Sequence, residues 1–284
     1  MRHRDIMMTS RTRNRLLTLI FTILVCLVFL SPFVYLISTA LKSVEQLLTM
    51  PRVLFPLPLH PENFLRVVQQ FPILRYFKNT FLVVIGSVAG NLLVSTMAGY
   101  ALSRLTFKGR EILFTITLAC MFMPLFLIII PRFLIFQKLG VIGTLWPLIL
   151  PTAFGSPFCI FLIRQYLRSI PMELSEAAKV DGCRELAIYS RIIMPLAKPV
   201  MATVVIFTTQ WRWNDFIEPL IYLPSGKLYT ITMGLYTVLG TSAEEINIHL
   251  VMAFLIIAIL PILLIFLVAQ RQFVEGTAST GLKG

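Results

Sequence analysis

Long apolar stretches alternate along this chain with short polar ones that carry nearly all of its charge. Residues 16–41, 79–103, 112–131 and 139–163 contain no Asp, Glu, Lys or Arg, and 250–270 is a last apolar run. A helix needs about 20 apolar residues to cross the hydrocarbon core of a bilayer, so each run predicts one span. A sixth segment, 199–223, is less obvious, being uncharged only as far as Trp211. Counting it gives an all-α integral membrane protein of about six transmembrane helices. They form one domain over 16–270, between a basic segment 1–15 and a tail 271–284. The first run exceeds the roughly 7–15 apolar residues of a cleaved leader, which predicts a retained helix.

Within the spans, Pro32, Pro124, Pro151 and Pro261 predict kinks that neighbouring helices must support. That favours a bundle that moves or encloses a cavity over a simple anchor. The second span carries Gly86-x-x-x-Gly90 and the ladder Ser87, Asn91, Ser95, Gly99. Small residues on one stripe let backbones approach closely, within this chain or against another subunit. The loop 42–78, with Pro51, Pro56, Pro58 and Pro61, predicts an irregular folded cap.

Composition agrees with a membrane class: 57% of the 284 residues are hydrophobic, 13% are charged, and mean hydropathy is +0.84. The net charge of +12 does not point to nucleic acid, because the basic residues flank apolar runs instead of forming a tract. Anionic lipid is the expected counter-charge. Lys and Arg cluster at Arg2–Arg15, at Arg104, Lys108 and Arg110, and through the loop 164–198, with Arg271 and Lys283 in the tail. The excess of positive residues in cytoplasmic loops then places both termini in the cytoplasm. The four cysteines and three histidines show no metal or redox spacing.

The loop 164–198 is the most informative stretch. Pro171 suits the first turn of a helix, Met172 to Val180 are mostly good helix formers with acids early and Lys179 late, and Asp181-Gly182 is a stop signal. A second short helix, Arg184 to Ile193, runs until Pro195. A helix–turn–helix at the membrane surface follows, with an exposed Ala177/Ala178 patch beside Glu176, suited to docking into a cleft on a soluble partner.

These residues carry a specific resemblance. Glu176-Ala177-Ala178, three residues, Gly182, nine residues, Ile192, one residue and Met194-Pro195 are similar to the EAA signature of ABC importer permeases. That family usually has Leu-Pro at the end, and Met194 is a volume-conserving replacement. Ala98 to Arg104, Phe107-Lys108-Gly109-Arg110, Trp213-Asn214-Asp215-Phe216 and the end from Gln270 to Gly284 resemble carbohydrate-importer permeases, nearer the second permease of maltose-type systems than the first. The resemblance implies a type I ABC importer permease fold. It makes the loop a coupling helix set in a groove of an ATPase, with Glu176, Ala177, Ala178, Asp181, Gly182 and Pro195 as coupling residues. The implied partners are a second permease subunit, an ATPase dimer and an extracytoplasmic sugar-binding protein, in a prokaryotic cytoplasmic membrane. ATP and Mg belong to the ATPase. This chain has no phosphate-loop motif, and the resemblance implies no cofactor and no enzymatic role for it.

Charge inside a span usually faces the bundle interior or water. Arg212 and Asp215 are three apart on one helical face and suited to pairing. Trp211, Asn214 and Asp215 combine an aromatic ring with amide and carboxylate groups, a set that suits a sugar's C–H face and hydroxyls. Alternatively, Trp211 and Trp213 belong to an interfacial aromatic belt. The segment 224–249, with Gly234, Gly240, Glu244 and Glu245, corresponds in maltose-type relatives to a loop that enters the docked binding protein; a solvated loop is the alternative. An ion-coupled secondary transporter would call for inverted repeats and ionisable groups in both halves, whereas charge is evident only in the fifth span. Cargo remains open between sugars and an anion such as glycerol phosphate. A single Arg212 leans toward a neutral sugar.

Overall fold

The computed structural model describes the backbone of residues 2–242 and 247–281 and the side chains of 14–240 and 247–267. All regular structure among them is helical. In chain order the helices are α1 (Arg2–Ala40), α2 (Val44–Thr49), α3 (Glu62–Gln70), α4 (Ile73–Arg104), α5 (Arg110–Met121), α6 (Leu125–Lys138), α7 (Trp146–Ala153) and α8 (Pro157–Ser169). Then come α9 (Glu173–Val180), α10 (Glu185–Ala187), α11 (Met194–Leu196), α12 (Lys198–Asn214), α13 (Ile217–Tyr222), α14 (Ile231–Ser242) and α15 (Ile248–Gly281). Four stretches are long and apolar enough to cross a membrane, and two sharply bent helix pairs raise the number to six.

One bent pair falls within an expected span, and the other joins residues 185–196 of the loop to α12 at 78°. The third span breaks into α5 and α6, which meet at 100°. Pro124 explains the break: it lacks an N–H, and Met123 before it is pushed out of the helical region. The expected kink is therefore a turn between two helices. The fifth span is likewise interrupted, as α12 stops at Asn214, Asp215 is extended, and α13 restarts at Ile217. The Asp215 carboxylate accepts from the Glu218 backbone N–H at 3.2 Å, in the manner of an N-cap.

The chain divides into two compact units, 1–71 with 237–258, and 72–236 with 259–284. In the first unit the predicted cap is more ordered than expected. Ser43 and Gln46 form a capping box that starts α2. The buried Asn63 amide on α3 donates to the carbonyls of Ala40 and Lys42, both at 2.9 Å.

The second unit is organised around α4, which packs on α7, α8 and α12. The small-residue stripe decides how closely. A Cβ at Gly90 would stand 2.5 Å from the Ala153 Cβ, and one at Gly99 2.6 Å from Ile163. The stripe is thus filled within the chain, and the subunit-interface alternative for these glycines is set aside. Asn91, fully buried on the same stripe, donates to Thr208 at 2.8 Å and to the Cys159 sulfur at 3.3 Å. Its carbonyl oxygen accepts from Ser95 and from the Ser156 backbone. One amide therefore joins α4, α8 and α12 with its hydrogen bonds satisfied, as a buried polar group requires.

Candidate functional site: coupling loop and charged cavity

The loop between α8 and α12 folds largely as its local signals dictate. α9 begins at Glu173, two residues after Pro171, and ends in a Schellman turn: Cys183 N–H reaches the Ala178 carbonyl at 2.9 Å and Gly182 N–H the Lys179 carbonyl at 3.0 Å. Gly182 has φ +80°, the left-handed conformation that this turn needs. The second helix passes Pro195 instead of ending before it, because a π turn over Ile188–Ile193 absorbs the residue that lacks an N–H. Met194 N–H accordingly bonds five residues back, to Tyr189.

The expected alanine patch is half right. Ala177 and Glu176 are exposed, but Ala178 is buried against Ile188 and Ile193, since it lies on the inward stripe of α9 with Ser175. The outward surface is instead extended by apolar side chains, Val180 at 88% exposure and Leu186 at 71%, with Leu174 alongside. Asp181, Gly182 and Pro195 are also exposed.

Below this surface the loop is held by α4. Arg104, buried at the α4 terminus, donates to the carbonyls of Leu167 and Ile170, both at 2.6 Å, and to Pro171 at 3.1 Å. It thereby caps α8 with a cation. The Tyr100 hydroxyl donates to Glu185 at 2.6 Å, and Lys179 pairs with Glu185 at 3.2 Å. The Tyr100 hydrogen bond, and then Lys179, holds the Glu185 carboxyl below its ordinary value despite some desolvation.

The second feature is an open cavity of about 440 Å³ beside α12. Trp211, Asn214 and Asp215, the three sequence candidates, all line it, together with Phe207, Gln210, Arg212 and Glu218. Arg212 pairs with Asp215 at 2.8 Å as its spacing predicts, and also with Glu218 at 2.7 Å and with Thr152 on α7. Glu218 further takes Arg132 from α6 at 2.7 Å. Charge is thus not confined to the fifth span, since Arg132 joins it from just beyond the expected third one. Nothing local in the sequence marks that pairing.

The two tryptophans separate, and the buried Trp213 does not share an exposed aromatic belt with Trp211. Trp211 is 42% exposed and stacks with Phe207 at 5.8 Å, with Phe158 edge-on at 5.6 Å. Trp213, two residues on, points the other way and is buried against Phe77 and Phe81 of α4. Asn214 donates to the Gln210 carbonyl at 2.9 Å. In the segment 224–249, Gly234 fits against the Tyr76 ring, while Glu244 and Glu245 lie outside the described residues, as do the side chains of the tail motif.

Similarity to known proteins is consistent with this geometry. Residues 83–278 match the family described as binding-protein-dependent transport system inner membrane component. A probable ABC transporter permease protein, YurM of Bacillus subtilis, is 34% identical over 93% of this chain and 87% of its own length. The arabinooligosaccharides transport system permease protein AraQ of the same organism is 32% identical over 95% of this chain and 96% of its own. In fold, the chain is similar to a crystal structure of a bacterial ABC transporter involved in import of the acidic polysaccharide alginate. The TM-score is 0.78 at 24% identity, over 91% of this chain and 97% of that one. A match over most of the chain, with relatives spanning nearly all of it, places this multi-pass protein in the binding-protein-dependent inner-membrane component family, the permease subunits of ABC transporters.

Proposed function

We propose that this chain is one permease subunit of an ATP-driven importer for a neutral sugar or oligosaccharide. It works with a second permease subunit, an ATPase dimer that binds ATP and Mg, and an extracytoplasmic sugar-binding protein. Both termini are cytoplasmic, as the Lys/Arg distribution favours. The chain itself needs no cofactor.

The observation that carries the cargo reading is the charge balance of the cavity. Arg132 and Arg212 are matched by Asp215 and Glu218 in direct contact. No positive charge is left over to attract an acidic polysaccharide or glycerol phosphate, whose recognition wants uncompensated Arg or Lys. The exposed Trp211 ring and the polar groups of Gln210, Asn214 and Asp215 suit the C–H face and hydroxyls of a pyranose. AraQ, whose cargo is arabinooligosaccharides, is a relative in keeping with this reading.

The ATPase contact is assigned to the outward surface of the loop 168–195. Ala177, Leu174, Val180 and Leu186 expose apolar surface beside the charged Glu176 on a segment beyond the membrane, which favours a protein partner. Ala178, Asp181, Gly182 and Pro195 serve that contact by shaping the helix pair. Closure of the ATPases draws the loops of the two permeases together and turns the cavity outward; hydrolysis returns it to the cytoplasm.

The test is uptake by the complete transporter in sealed vesicles, with ATP supplied on the ATPase side. Raffinose and arabinotriose represent neutral cargo, and an alginate trisaccharide the acidic class. ATP-dependent uptake of a neutral sugar, reduced by W211A in a complex that still assembles, supports the reading. Preferential uptake of the acidic trisaccharide would overturn the cargo assignment. Uptake driven by an ion gradient without ATP would overturn the importer assignment.

A further inference from the structure

Three residues on successive turns of α4 meet the coupling loop. The Thr96 hydroxyl lies 2.8 Å from that of Tyr189, Tyr100 donates to Glu185 at 2.6 Å, and Arg104 holds the carbonyls of Leu167, Ile170 and Pro171. The Tyr100 ring is 4% exposed and packs edge-to-face on Tyr189 at 5.3 Å, so the core fixes where its hydroxyl points. Glu185 stands at the start of the second loop helix and pairs with Lys179 in the last turn of α9. The Tyr100–Glu185 bond, with its ionised acceptor, therefore grips both helices of the loop through one strong contact.

The two routes out of the loop differ mechanically. The covalent route runs into α12 through Ala197, where the helices meet at 78° and a hinge can absorb displacement. The α4 route runs through an unbroken 32-residue helix. Toward its other end Asn79 donates to the carbonyls of Lys227 and Tyr229, and Thr80 accepts from the Ile231 N–H at the start of α14. α4 has no proline to break it, so a push at Tyr100 is carried along it to the segment 227–231.

We propose that Tyr100 and Glu185 are a positioning pair that transmits displacement of the ATPase-docking loop into α4, and through it to the far side of the membrane. The inference rests on the ATPase-coupled reading above. Arg104 anchors the loop, and the Tyr100–Glu185 contact is the part that carries motion.

The test uses this chain assembled with its second permease and ATPase subunits in lipid nanodiscs. Hydrogen exchange of residues 172–187 and of 73–90 is measured with and without magnesium ATP and vanadate. In the wild type both segments respond to nucleotide. In Y100F and in E185A the loop still responds, while the response of 73–90 falls by roughly tenfold, the weight of one hydrogen bond to a charged group. Y100F/E185A loses no more than either single variant, and E185Q, which keeps an acceptor for the hydroxyl, restores most of the response. A merely structural role would change exchange without nucleotide and leave the nucleotide-dependent difference intact. A full wild-type response of 73–90 in Y100F and E185A would overturn the pair's role. A wild-type loop indifferent to nucleotide would overturn the ATPase-coupled reading, and this inference with it.

Discussion

The carboxylate of Glu218 lies 2.7 Å from the guanidinium of Arg132, a residue 86 positions earlier in the chain. Its other oxygen takes Arg212 at the same distance. One buried acid thus holds α6 and α12 together, and Asp215 completes the neutralisation.

E218Q keeps the size of the side chain but leaves two guanidinium groups sharing one carboxylate. Breaking a buried pair costs about 3–5 kcal/mol because a charge is left uncompensated. The expected outcome is a clearly lower unfolding temperature in detergent, with partial recovery in R132Q/E218Q as the excess charge is removed. An E218Q protein as stable as wild type would show that the cluster is solvated and contributes little.

The glycine stripe makes a graded prediction. G90A drives a methyl to 2.5–2.8 Å of Ala153, including its backbone Cα and carbonyl oxygen, whereas G86A meets only the Ile149 side chain at 3.1 Å. Overpacking of this kind costs about 1–3 kcal/mol, so G90A should lose markedly more stability than G86A. A153G should rescue G90A only in part, since the backbone atoms remain. Equal effects at the two glycines would mean that α4 and α7 separate readily.

Asn91 joins three helices, and N91A removes bonds to Thr208 and Ser95 and to the Ser156 backbone. With interhelical hydrogen bonds in membranes worth about 0.6 kcal/mol on average, the loss should be modest per bond. The whole change should exceed that of T208V, which deletes one of them. Thermal unfolding of the two variants in the same detergent decides it.

Glu185 supplies a pH dependence. Its folded value lies below the ordinary 4.5, first because of the Tyr100 hydroxyl. A depressed carboxylate contributes stability that is complete above its ordinary value and is lost as pH falls through the folded one. Attachment of the loop, read as protease resistance of 172–187, should therefore be flat from neutrality down to about pH 5. It should weaken only in stronger acid, and E185Q should abolish the acid-dependent step.

The elements whose signals are local were legible in the sequence. α9 could be read from Pro171, its charge order and Gly182, because capping and left-handed turns are decided within a few residues. The apolar runs marked where membrane-length helices form, although the fourth is displaced from 139–163 to 146–169, and Pro124 marked where the third one bends, though not by how much. What could not be read depends on partners distant in sequence. Nothing near Arg132 announces Glu218, and nothing near Arg104 announces the carbonyls at the end of α8. The opposite fates of Trp211 and Trp213 follow from which side of α12 faces α4, and the burial of Ala178 from which side of α9 faces Ile188 and Ile193. The π turn that carries the second loop helix past Pro195 reflects the packing of Ile188 and Ile193, a constraint that residue type alone does not express.

The outward face of the loop 168–195 is assigned to an ATPase. Affinity purification of the tagged chain from its native membranes in mild detergent, followed by mass spectrometry, tests that assignment directly. The wild type should bring down a second permease and a phosphate-loop ATPase. A177D, a charge placed on an exposed position of α9, should retain the permease and lose the ATPase. Recovery of the chain alone, or undiminished ATPase with A177D, would contradict the assignment.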